Sequence, residues 1–125
     1  MTKSVAYSAE CSNAEEPPYF GWNEPSLRAC AARAMKNLEN PSISINGRPA
    51  PISLVRTDYI RGVLPADNLF GADADTRIKS AGQGWVTLTR PLPPGTYTVN
   101  ESVSGTNAFG ETVAPITTTV TITGR

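Results

Sequence analysis

The chain has 125 residues, which makes a single domain the default, and its 11 Lys plus Arg balance 11 Asp plus Glu. This zero net charge argues against a nucleic-acid or anionic-membrane protein, which needs a basic excess to hold phosphates. The absence of histidine excludes a Ser-His-Asp triad, a Cys-His dyad and any His-ligated zinc site, and no apolar run is long enough to span a bilayer.

In chain order, Lys3 to Glu10 alternates weakly, with Val5 and Tyr7 on one face, and reads as an opening strand. An aperiodic loop follows from Cys11 to Asn23. A helix of residues about 24–39 comes next: Asn23 or Glu24 can cap it, and Pro25 suits its first turn, where a missing N–H costs nothing. Leu27, Cys30, Ala31, Ala34, Met35 and Leu38 recur at three and four residues and form its apolar stripe. The helix must stop before Pro41.

From Ser42 the period changes to two. Ser42-Ile43-Ser44-Ile45 is a strand, and Asn46-Gly47 signals a type I′ hairpin. Pro49 and Pro51 restrict the returning strand to an edge or a later start. Residues 52–55, 59–64, 76–80, 85–89, 96–99 and 115–123 are further strands. Between them, 65–76 is a loop, Ala81-Gly82-Gln83-Gly84 a turn, Pro91 to Gly95 a rigid connector and Ser104 to Glu111 a turn or loose loop. Short strands at roughly ten-residue spacing, with no βαβ pattern, predict an antiparallel sandwich or barrel; the fold expected is an antiparallel β-sandwich, immunoglobulin-like in the broad sense. The expectation is one domain over 1–125 carrying a single N-terminal α-helix.

Cys11 and Cys30 are the two cysteines. Without CxxC spacing or histidine they fit no usual zinc site. A disulfide between them would pin the aromatic loop onto the core; two buried free thiols are the alternative. A persistent disulfide implies an oxidising compartment. Met1-Thr2-Lys3-Ser4 leads into Val5-Ala6-Tyr7, not into an apolar stretch with a cleavage site. Met1 therefore reads as a start placed on a mature fragment of a secreted or extracellular protein, with a cytosolic protein as the alternative.

Several stretches occur together: Glu10-Cys11-Ser12, Leu27-Arg28-Ala29-Cys30-Ala31, Ser44-Ile45-Asn46-Gly47, Val63 to Gly71 (Val-Leu-Pro-Ala-Asp-Asn-Leu-Phe-Gly), Gly84-Trp85 and Pro91-Leu92-Pro93-Pro94-Gly95. In this order, across roughly residues 10 to 100, they resemble a group of small secreted bacterial proteins of unassigned function. In that group a cysteine-bearing N-terminal part precedes a β-rich half, and histidine often stands where this chain has Tyr97. The resemblance implies secretion and a Cys11–Cys30 bridge, and it implies no activity. The run Pro93-Pro94-Gly95-Thr96-Tyr97-Thr98-Val99 is also similar to late strands of immunoglobulin-like and prealbumin-like adhesin domains.

Four groups of residues could carry function. Tyr19, Phe20 and Trp22, with Trp85, could form an aromatic platform for sugar rings or a partner protein, or could fold inward to complete the core. Asp67, Asp73 and Asp75, beside Asn68, could gather calcium, although the spacing does not fit an EF-hand and suits turn chemistry equally. Glu10, Glu15 and Glu16 could supply paired carboxylates for glycoside hydrolysis, or be a solvated loop. The threonine-rich C-terminal strand could be an edge open to strand addition. These observations favour a non-enzymatic extracellular binding or structural module without a cofactor, its ligand a protein partner or a surface glycan. A subunit of a surface fibre or virion, joined through sheet edges, is one alternative; a carbohydrate-active enzyme using carboxylates only is another.

Overall fold

The computed structural model describes residues 2–71 and 73–124, Thr2 by its backbone alone. Met1, on which the start-site expectation rests, lies outside the described residues, as does Ala72 of the expected 65–76 loop. The chain is mainly β. Among the described residues its strands are β1 (Thr2–Ser12), β2 (Glu39–Ile45), β3 (Arg48–Pro49), β4 (Ser53–Arg56), β5 (Ile60–Val63), β6 (Arg77–Thr89), β7 (Gly95–Ser104) and β8 (Ile116–Ile122), and one helix, α1, covers Glu24–Met35. Two antiparallel sheets form, in the orders β1-β6-β4, with β5 also paired to β6, and β3-β2-β7-β8. Two compact units result: Met1–Ser8, Asn37–Val55 and Gly84–Arg125 make one, Ala9–Lys36 and Arg56–Gln83 the other.

The first unit is built on the β3-β2-β7-β8 sheet. Asn46 and Gly47 have φ of 51° and 79°, the left-handed values that a type I′ turn requires, and they set Ile45 against Arg48 and Ser44 against Pro49. Pro49, which has no N–H to donate, therefore sits on an edge strand as expected. The ladder between β7 and β8 is unbroken from Gly95 opposite Ile122 to Glu101 opposite Ile116. Period-two alternation turns Ile43, Val99 and Val103 to one face. Ala6, Leu38, Ile43 and Val103 are the buried cluster, and Tyr7, Ile52, Trp85 and Val113 pack against it. The 104–111 segment is an organised turn: buried Asn107 accepts the N–H groups of Phe109 and Glu111 at 3.0 and 2.9 Å.

The second unit contains α1 and the disulfide. Asn23 caps the helix: its side chain accepts the Ser26 N–H at 3.0 Å, while the Ser26 hydroxyl oxygen accepts the Asn23 N–H at 3.0 Å. Leu27, Cys30, Ala31, Ala34 and Met35 are buried as the stripe requires. The helix ends about one turn earlier than the 24–39 spacing implies. Lys36 is extended, and Asn37 takes a left-handed φ of 71°, which terminates the ladder. Leu38 is buried, but in the first unit's cluster rather than on the helix.

Residues 81–84 are not a turn. They lie within the thirteen-residue strand β6. A Cβ on Gly82 would sit 2.8 Å from the Ala9 carbonyl oxygen, and one on Gly84 2.9 Å from the Ser8 Cβ. These glycines therefore permit close approach of the β1 backbone; they do not reverse the chain.

Candidate functional site

Cys11 and Cys30 are bonded, and both are fully buried. The segment between them returns alongside β1: the Ser12 N–H donates to the Tyr19 carbonyl at 3.1 Å and the Gly21 N–H to the Ser12 carbonyl at 3.3 Å. The Pro17–Pro18 peptide bond is cis. Gly21 is needed where the loop meets the helix, because a Cβ there would lie 2.8 Å from Leu27 Cδ2. The loop is thus fixed at the disulfide, at β1 and at the helix cap.

On this fixed loop, Phe20 and Trp22 meet edge to face, with ring centroids 4.8 Å apart and planes at 87°, a favourable quadrupole arrangement. Phe20 is half-buried while Trp22 is 71% exposed. The Trp22 backbone N–H donates to the Ser26 hydroxyl at 2.9 Å, so the exposed indole is mounted on the helix cap. Tyr19 is half-buried in the same loop, its N–H bonded to the Glu16 carbonyl at 3.0 Å. Trp85 belongs to the first unit, half-buried against the Ala6–Leu38–Ile43–Val103 cluster. Of the four aromatics, Phe20 and Trp22 form the ring contact that presents a surface.

The carboxylates have other surroundings. Asp67, Asp73 and Asp75 are exposed. The Asp73 carbonyl accepts the Thr76 hydroxyl at 2.6 Å, Asp75 is left-handed with φ 64°, and its N–H donates to the Leu64 carbonyl at 3.0 Å. This is turn chemistry, and among the described residues no three His, Cys, Asp or Glu side chains gather to hold a metal ion. Partial burial pushes the Glu15 carboxyl above the usual carboxylate range; the Ser12 hydroxyl, donating at 3.0 Å, opposes this, and the Glu10 charge adds to it.

Sequence reasoning missed an apolar groove of about 360 Å³ in the first unit. Tyr97 and Val99 of β7, Val120 and Ile122 of β8, and Leu92 line it. At its polar end, Glu101 accepts the Ser4 hydroxyl at 2.6 Å and the Val5 N–H at 3.0 Å. The Tyr97 hydroxyl donates to the Pro93 carbonyl at 2.6 Å. The matching alternation of β7 and β8 was the available signal. No protein-family model, curated protein or solved structure matches this chain.

Proposed function

We propose that this protein is a non-enzymatic, extracellular binding module of broadly immunoglobulin-like sandwich design, recognising a surface glycan or protein partner through its disulfide-bounded aromatic loop. The carrying observation is Trp22, 71% exposed on a loop tied down at several points and backed by Phe20. A large rigid aromatic in solvent costs hydration and offers contact area with little entropy left to lose, which is the character of a binding hot spot. The buried disulfide supports an oxidising compartment, in keeping with the resemblance to small secreted bacterial proteins. Two antiparallel sheets, with Ala6 of one and Ile43 and Val103 of the other in one buried cluster, support the sandwich reading. The absence of histidine, the commonest general base, supports a non-enzymatic role.

A glycan array, with a displayed-peptide library in parallel, tests this reading. Trp22→Ala is expected to weaken any ligand found by about 30-fold while leaving the melting transition in place. Undiminished binding by Trp22→Ala would remove the loop from the function.

A further inference from the structure

The two edges of the β3-β2-β7-β8 sheet are built differently. One edge, β3, is two residues long and consists of Arg48 and Pro49; a charge and a missing N–H are common ways of blocking strand addition. The other edge, β8, runs for seven residues, Ile-Thr-Thr-Thr-Val-Thr-Ile, without charge, proline, glycine or bulge. β7 occupies one side of it, and the sheet order ends at β8 among the described residues. Ile116 and Val120 are 52% and 39% exposed. A long, unbulged, uncharged edge of this kind is a template for another strand.

The β8 sequence specifies which strand. It is nearly palindromic. We propose that β8 pairs antiparallel with β8 of a second copy, across a two-fold axis at Thr119. Opposed residues in an antiparallel ladder share a face. This register sets Ile116 against Ile122 of the second copy, Thr117 against Thr121, Thr118 against Val120, and Thr119 against itself. The Ile116, Val120 and Ile122 face continues as one apolar stripe across the junction, and the Thr117, Thr119 and Thr121 face continues as threonine against threonine. No charge opposes a like charge. Moving the axis by one residue shortens the ladder from seven pairs to five. Alternate pairs in such a ladder exchange two hydrogen bonds each, so the seven-residue edge gains about six to eight. The result is an isologous, closed dimer with one continuous sheet. It goes beyond ligand binding by the Trp22 loop and does not depend on it.

Sedimentation velocity from low micromolar to submillimolar concentration tests the pairing. The unmodified protein is expected to move from one-chain to two-chain mass and no further. Thr117→Lys with Thr121→Lys opposes two like-charged pairs across the axis and is expected to weaken the dimer about fivefold per pair, about 25-fold together. Thr117→Lys with Thr121→Glu opposes Lys to Glu at both places and is expected to restore it. Thr117 and Thr121 are exposed, so circular dichroism melts should show all three proteins folded. A monomer throughout, assembly beyond two chains, or a Lys/Lys variant that dimerises normally would overturn the proposal. Failure of the Lys/Glu variant to recover would overturn the Thr119 register.

Discussion

Breaking the Cys11–Cys30 bridge is expected to destabilise the protein by about 3 kcal/mol. The cysteines are 19 residues apart, and in the chain-entropy account closing a loop of that length removes roughly 3 kcal/mol of unfolded-chain freedom at 25 °C. Three backbone hydrogen bonds near the bridge, from Ser12 to Tyr19, Gly21 to Ser12 and Tyr19 to Glu16, contribute about 1 kcal/mol net each. They require the loop to be already in place, so they do not substitute for the covalent closure. A domain of ordinary stability, roughly 5–15 kcal/mol, stays folded after such a loss. The measurement is urea unfolding of oxidised and reduced protein. With an m-value of about 2 kcal/mol/M, the midpoint should fall by about 1.5 M. An unchanged midpoint would refute the reasoning that the loop depends on its staple. Two alkylatable thiols in oxidatively prepared, unreduced protein would refute the bridge itself.

Two further outcomes follow from burial and charge. Leu38→Asp places a carboxylate among Ala6, Ile43 and Val103, where Leu38 is 6% exposed, and should cost several kcal/mol, about 4 or more. Arg33→Asp, on the exposed last turn of α1, should cost about 0.3–1 kcal/mol through the helix dipole; a Leu38→Asp loss no larger than this would show the burial of Leu38 to be misassigned. Because burial raises the folded-state Glu15 carboxyl above its unfolded value, its protonated form favours folding. That contribution is complete below the unfolded value and is lost as pH rises through the folded one. Glu15→Gln, which can still accept from Ser12, should flatten the stability profile from the ordinary carboxylate range upward; an unchanged slope there would place the dependence elsewhere.

The helix start was legible because its signals are local: Asn23, Pro25 and the first turn's composition act within four residues of one another. Its end was not. Leu38 stands three and four residues after Met35 and Ala34, so periodicity cannot distinguish another helical turn from a chain that leaves the helix and buries the same leucine in a different cluster. The left-handed Asn37 made that choice, and asparagine adopts such a backbone without announcing it. The Asn46-Gly47 hairpin was legible because two consecutive positive-φ residues between alternating segments have few other uses. Gly82 and Gly84 were misread for a related reason. A missing Cβ serves a turn and a close strand approach equally well, and only the position of β1 decides between them.

The candidate site divides along the same line. Composition identifies Tyr19, Phe20, Trp22 and Trp85 as large apolar groups, but exposure depends on whether another element covers them. That is a property of the partners rather than of the residue. Trp85 lies on a strand whose neighbours supply a core, so it packs. Trp22 follows Gly21, where a Cβ would press against Leu27, and precedes the helix cap; its backbone is held while its ring, 71% exposed, meets Phe20 edge to face. The same distinction governs β8. Alternation of threonine with isoleucine and valine correctly gives a strand and its two faces, yet alternation carries no information about edges, because a central strand and an edge strand have the same period. Edge character appears in what is missing: a central strand needs no charge to protect it, whereas an edge without one remains open to pairing. In β8 an unprotected sequence and an edge position coincide, and a symmetric partner strand satisfies both.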